Sequence, residues 1–201
     1  MSIHYLIGID EVGRGPLAGP VAVGAVLIRG GKVPKKLQPG KDSKQLSAET
    51  RDVWFLKIKE AKKNGELEYA VSFVSAKIID EKGLSFAIKK ALATSLKKVL
   101  KNKNINPAEC RVLLDGGLKA PVEFLYQKTI IKGDEKEPII ALASIAAKVT
   151  RDARMVRYAK EFPAYHFDLH KGYGTKAHYD AILTHNICEI HRQSFIKTVR
   201  V

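Results

Sequence analysis

The stretch GIDEVGRGPLAGPVAVGAV, Gly8 to Val26, carries the end of one apolar segment, a glycine-rich turn and most of a second apolar segment. The segments His4 to Asp10 and Val21 to Ile28 are rich in β-branched residues, which predicts two strands joined by the turn Val12 to Pro20. Asp10 and Glu11 stand where the first strand ends, next to the turn. Adjacent strand residues point to opposite faces, so the two carboxylates share one site only where the strand is ending or bulged.

Working outward, Glu66 to Ser75 alternates Leu67, Tyr69, Val71 and Phe73 on one side, the period of a half-buried strand that completes an antiparallel meander. Between them Ser47 caps a predicted helix running to about Asn64, with Trp54, Ile58 and Ala61 on one stripe and Gly65 as its stop. A second helix, Ser85 to Lys101, turns Ile88, Leu92, Leu96 and Val99 inward. Short strands are predicted at Arg111 to Asp115 and Tyr126 to Ile131, and a long helix at Ile139 to Lys160. Residues 166–201, rich in His, Tyr and basic side chains, read as a smaller helical addition to a main body of residues 1–165. This order leaves α/β and α+β both open.

The chain has 35 Lys and Arg against 21 Asp and Glu, a net charge of +14 in 201 residues. Such an excess favours polyanion partners through steering and counterion release. The apolar runs Leu6 to Ile9 and Val21 to Ile28 are far shorter than the ~20 residues of a membrane span. The N-terminus lacks the basic and then apolar pattern of a secretory signal, so a soluble, cytoplasmic protein is expected. Cys110 and Cys188 lie far apart, without paired-thiol spacing.

In so basic a chain, the carboxylates beside apolar runs are the informative ones, because a buried carboxylate needs a partner or a metal. Four qualify: Asp10 and Glu11, Asp115 at the end of Val112 to Leu114 and before Gly116 and Gly117, and Asp152 on the stripe Ile145, Val149, Val156. Hard oxygen donors with open positions suit Mg²⁺ or Mn²⁺. Two such ions about 3.5 to 4 Å apart activate water and stabilise the leaving oxygen in phosphodiester hydrolysis. Turn caps at Asp10 and Asp115, and an ion pair from Asp152 to Arg151 or Lys148, are the structural alternatives. Gly13, Arg14, Gly15 and Gly19 let backbone groups approach a ribose or phosphate, although no GxxxxGK[ST] nucleotide loop is present. Lys41, Ser43 and Lys44 have the make-up of a phosphate clamp, and the segment around Lys171 and Tyr173 mixes cations with an aromatic, as nucleotide-stacking surfaces do. No HExxH spacing points to zinc.

The run Gly8 to Val26 closely resembles the signature of the ribonuclease HII family, the type 2 ribonucleases H. The resemblance continues through KDSKQLS at Lys41, LLDGG at Leu113, ASIAAKVTRD at Ala143, HKGYGTKAH at His170 and HRQSF at His191. It implies a ribonuclease H-like fold, a mixed β-sheet flanked by helices, with a small helical C-terminal part over the substrate. It further implies an endoribonuclease acting on the RNA strand of RNA/DNA hybrids and on duplex DNA with embedded ribonucleotides. Asp10, Glu11, Asp115 and Asp152 match the acidic positions expected to bind Mg²⁺ or Mn²⁺. Gly13, Arg14 and Gly15 match the turn that senses the ribose 2′-OH, and Tyr173 the tyrosine that packs on the neighbouring sugar. Lys41, Ser43, Lys44 and Lys171 are expected to hold phosphates. The chain carries His166 where the family usually has glycine. No proline or aromatic clamp-binding motif follows Val201, so a sliding-clamp partner is not expected, and the chain is expected to be a monomer. The alternatives are a catalytically silent hybrid-binding module and a type 3-like ribonuclease H.

Overall fold

The computed structural model describes residues 3–39, 46–101 and 103–196, so the expected clamp residues Lys41, Ser43 and Lys44 lie outside the described residues. β1 (Tyr5–Val12) runs antiparallel to β2 (Val21–Arg29), with Tyr5 opposite Arg29 and Val12 opposite Ala22. α1 (Ala48–Lys63) starts at its predicted cap, where the Ser47 side chain accepts from the Thr50 amide. β3 (Leu67–Val74) then pairs antiparallel with β2 and completes the predicted meander. α2 (Ala76–Lys82) and α3 (Leu84–Leu100) are divided by Gly83. The first of these has no counterpart among the predicted elements, because seven residues are too few to display a periodic stripe.

β4 (Cys110–Asp115) adds in parallel to β1, and β5 (Tyr126–Ile130) adds in parallel to β4, giving the order β3-β2-β1-β4-β5. This mixed sheet, flanked by helices, decides the class that the element order leaves open, α/β, and has the architecture the resemblance implies. α4 (Gly133–Lys136) leads into α5 (Pro138–Glu161), followed by α6 (Phe167–His170), α7 (Lys176–His185) and α8 (Gln193–Ile196).

Each face of the sheet has its own core. Ile7, Ile9, Val23 and Ala25 pack against Ile88, Leu92, Leu96 and Val99 of α3, while Leu6, Val26 and Ile28 meet α5 and Ile58 and Ala61 of α1. β2 is buried from Val21 to Ile28, as a strand covered on both faces must be. β3 is covered on both faces as well, with Tyr69 against one core and Ala70 and Val74 against the other, so it is not the half-buried strand its alternation suggests. Truncating one of these side chains, Leu96 for instance, removes roughly 2 to 5 kcal/mol of stability.

Two glycines set how close α5 comes. A Cβ at Gly8 would lie 2.2 Å from the Ile139 carbonyl oxygen, and one at Gly24 2.3 Å from that of Ala143. The helix therefore rests directly on strand backbone, which brings Ser144 and Lys148 beside the end of β1. A third core joins Leu17 and Ala18 to Met155, Tyr165, Phe167, Ile182 and Ile190. The C-terminal helices thus share their packing with the glycine-rich turn, and Asp80 of α2 secures them further by accepting the amides of Gln193 and Ser194 at 2.9 and 3.0 Å. At the junction His166 has φ 53°, the left-handed backbone that glycine adopts without cost. Among the described residues, no helix is long and apolar enough to cross a membrane.

Candidate active site

The pairing of β1 with β4 ends at Ile9 and Leu114, whereas its pairing with β2 continues to Val12 and Ala22. From Asp10 onward the strand is free along one edge, which meets the condition for Asp10 and Glu11 to serve one site. Both line a cavity of about 410 Å³ together with Asp115, Ser144, Lys148 and Tyr173. Asp10 is only 4% exposed, and one of its oxygens accepts the Glu11 amide at 2.8 Å. Burial foremost, then repulsion from Glu11, Asp115 and Asp134, holds its carboxyl well above the usual carboxylate range, while a hydrogen bond from Ser144 opposes the shift.

Asp115 ends β4, and its Oδ1 accepts the Gly133 amide at 2.6 Å, tying the strand end to α4. The next residue, Asp134, is buried and acts electrostatically on Asp10. One oxygen of Glu11 accepts from Arg14 Nη1 at 2.8 Å; the other, Oε2, is buried with no hydrogen-bond partner among the described residues. An acceptor left bare beside mutually repelling carboxylates fits a divalent cation, which supplies the missing partner and cancels the repulsion. Among the described residues, no three His, Cys, Asp or Glu side chains are gathered closely enough to hold a metal ion between them. An open arrangement suits Mg²⁺, which keeps several waters and takes few protein ligands.

Asp152 is not brought to this group. Its carboxylate pairs with Lys148 at 3.0 Å, one turn back on α5, and lines an adjoining cavity of about 470 Å³ with Arg51 and Lys171. Arg51 and Lys148 line both cavities, so their charges bridge them. Lys171 faces the adjoining cavity, and its Nζ donates to the Asp168 carbonyl.

The glycine-rich turn is held from behind by two fully buried arginines. Arg192 donates to the carbonyls of Gly19 at 3.0 Å, Arg14 at 2.9 Å and Gly13 at 2.6 Å. Arg151 donates to Pro20 at 3.0 Å, Ala18 at 3.3 Å and Lys171 at 3.1 Å. Burial pulls both guanidinium groups down, Arg192 to about 9, and that group stays charged at neutral pH. Gly13 has φ 87°, and a Cβ there would lie 2.3 Å from Arg151 Nε, so any side chain would strain the backbone and displace the arginine. The turn places Gly13, Arg14 and Gly15 on the cavity wall. Tyr173 lines the same cavity and is 41% exposed, with Lys148 Nζ and Arg151 Cζ each 5.9 Å from its ring centroid.

The sequence pattern of the ribonuclease HII family matches residues 7–198. The chain belongs to the ribonuclease HII family. Its activity is accordingly that of a type 2 ribonuclease H, an endoribonuclease. Ribonuclease HII of Endomicrobium trichonymphae is 43% identical over 192 residues, covering 96% of this chain and 85% of that protein. The Caldicellulosiruptor bescii protein of the same name is 39% identical, covering 98% and 88%. Among solved structures, the ribonuclease HII of the Archaeoglobus fulgidus PCNA complex superposes with a TM-score of 0.70 at 24% identity, covering 97% of this chain and 95% of that one. A ribonuclease HIII solved with Mn²⁺ superposes with a TM-score of 0.62 at 18% identity, covering 91% and 70%, a likeness of fold.

Asp134, Arg151 and Arg192 are the residues around the cavity that sequence reasoning misses. Asp134 sits in the Lys- and Glu-rich turn Lys132 to Pro138, where nothing apolar marks it. Its one signal is its place just ahead of the proline that opens α5.

Proposed function

We propose that the enzyme cuts the RNA strand of RNA/DNA hybrids and nicks duplex DNA on the 5′ side of an embedded ribonucleotide, leaving 5′-phosphate and 3′-hydroxyl ends. The observation that carries this reading is one open cavity lined together by carboxylates from β1 and β4, by the Gly13 to Gly15 turn and by Tyr173. Asp10, Glu11 and Asp115 hold Mg²⁺ or Mn²⁺, with Asp134 as the fourth carboxylate behind them. When bound, two such ions supply the charge that activates water and stabilises the leaving oxygen.

The protein's own groups position the substrate. Gly13, Arg14 and Gly15 meet the 2′-OH that separates ribose from deoxyribose, and Tyr173 packs on the adjoining sugar. Lys171, Lys148 and Arg51 line the two adjoining cavities and hold phosphates, as do Lys41, Ser43 and Lys44 from sequence, which fixes register without reading bases. Asp152 anchors Lys148 in this scheme, in place of the metal-binding role expected from sequence. Residues 1–165 form the catalytic body and residues 166–201 the substrate-contacting part of a cytoplasmic monomer.

Cleavage of a labelled DNA duplex with one ribonucleotide, in Mg²⁺, Mn²⁺ or chelator, tests the reading. A metal-dependent nick on the 5′ side of the ribonucleotide is expected. Cleavage of long hybrids alone would replace it with a type 3-like specificity, and binding without cleavage would replace it with the silent module.

A further inference from the structure

Behind Tyr173 lie three histidines whose protons are placed by the groups around them. His178 of α7 is fully buried and His191 is 3% exposed, with their Nε2 atoms 3.0 Å apart. His178 Nδ1 lies 2.9 Å from the Tyr173 carbonyl, which only accepts, so Nδ1 carries the proton and Nε2 is bare. His191 Nδ1 lies 2.9 Å from the Cys188 amide, which only donates, so that nitrogen is bare and Nε2 carries the proton. The Cys188 carbonyl, 3.3 Å from the same Nδ1, already accepts the His191 amide at 3.0 Å. His191 therefore donates to His178, and His178 to Tyr173, with both rings neutral.

The third ring obeys the same logic. His170 Nε2 donates to the Tyr165 carbonyl at 2.8 Å, and its Nδ1 accepts the Gly172 amide at 3.2 Å. It stacks on His178 with ring centroids 4.4 Å apart. Two imidazoles thus brace the backbone on either side of Tyr173. The same loop is pinned to the far end of the glycine-rich turn, because the Gly172 carbonyl accepts the Leu17 amide at 2.8 Å. His191 is the neighbour of Arg192, which holds the other end of that turn.

We propose that His178 and His191 are positioning residues for sugar selection: their one-way chain of hydrogen bonds fixes Tyr173 in the cavity it lines together with the Gly13 to Gly15 turn. The proposal rests on the reading of Tyr173 as the group that packs on the sugar beside the ribonucleotide. A single embedded ribonucleotide presents a deoxyribose to that ring, whereas a long hybrid presents ribose at every step, so misplacing the ring affects the first substrate more. Burial keeps His178 and His191 neutral at physiological pH by pushing each imidazole down to about 4.

The test compares His178→Ala with His178→Asn, whose side-chain amide occupies the place of Nδ1–H and restores the donor to Tyr173. The readout is kcat/KM on a single-ribonucleotide duplex divided by kcat/KM on a long hybrid. We expect this ratio to fall about tenfold in His178→Ala and to recover in His178→Asn, since an ångström of misplacement costs up to about 100-fold. Both variants lose the bond to His191, so both melt below the wild type while only one loses selectivity. Equal losses on the two substrates, or a ratio that follows melting temperature, would overturn the proposal and leave the function reading intact. A wild type that cuts neither substrate would overturn the function reading, and this proposal with it. Imidazole ¹⁵N spectra of the wild type at neutral pH should show His178 protonated only at Nδ1 and His191 only at Nε2; the opposite tautomers would also overturn it.

Discussion

Arg192 Nη2 donates to the carbonyl of Gly13 at 2.6 Å across 179 residues of sequence. The same guanidinium also serves Arg14 and Gly19, a fork that no other side chain reproduces. In Arg192→Lys one ammonium faces three carbonyls on different bearings, and those left unserved cost about 1 to 3 kcal/mol each. For a chain of this size that lowers the melting temperature by roughly 5 to 10 °C. Thermal unfolding followed by circular dichroism measures it, and an unchanged midpoint would mean that the carbonyls find other donors.

Asp134 and Asp152 make opposite claims on the fourth acidic role. Asp134 acts on Asp10, whereas Asp152 is committed to Lys148. Asp134→Asn should lower kcat on the order of 100-fold with hybrid affinity retained, and Asp152→Asn less than about tenfold, expressed in KM. Steady-state kinetics of the two variants decides between them; the reverse ranking would return Asp152 to the metal site.

Asp10→Asn removes a buried charge that Glu11, Asp115 and Asp134 repel. In chelator the variant should melt at or above the wild-type temperature while cleaving nothing measurable. Added Mg²⁺ should raise the wild-type midpoint and leave that of the variant nearly unmoved, because a ligand stabilises only the state that binds it. Differential scanning fluorimetry across a Mg²⁺ series reads both effects, and a parallel rise in the two proteins would place the ion elsewhere.

The buried imidazoles also set an acid limit. His178 and His191 are pushed down to about 4 from an ordinary 6.5, with His170 stacked on one and Cys188 bonded to the other. Between those values the unfolded chain takes up protons that the folded chain refuses. Their contribution to stability is therefore whole above about pH 6.5 and is lost as pH falls toward 4, by up to about 1.4 kcal/mol per pH unit for each group. Urea midpoints measured from pH 7 to pH 5 should fall in the wild type and flatten in His178→Asn/His191→Gln. Equal slopes would assign the titration to other groups.

The strands of the meander, the Ser47 cap and the stripe of α3 are legible in the sequence because each is a local pattern of apolar spacing or capping chemistry. The parallel addition of β4 and β5 is not, since a strand's partner depends on what its neighbours leave open. Asp10, Glu11 and Asp115 stand out because they interrupt or end apolar runs. Asp134 stays hidden because its burial comes from α5 folding over a turn that looks solvated. Arg151 and Arg192 are likewise masked, being two among 35 basic residues whose solvated and buried members have the same letters. Asp152 stands out for the same reason, as a carboxylate on an apolar stripe, and the partner it finds in the fold is a lysine one helical turn away.

The reach of Arg192 back to Gly13 also orders events during synthesis. Every carboxylate of the cavity has been made long before residue 192, yet the glycine-rich turn lacks its clamp until that arginine leaves the ribosome. The backbone of the turn is thus made early and the side chain that fixes it last, so the wall it lends the cavity is set only when synthesis is nearly complete.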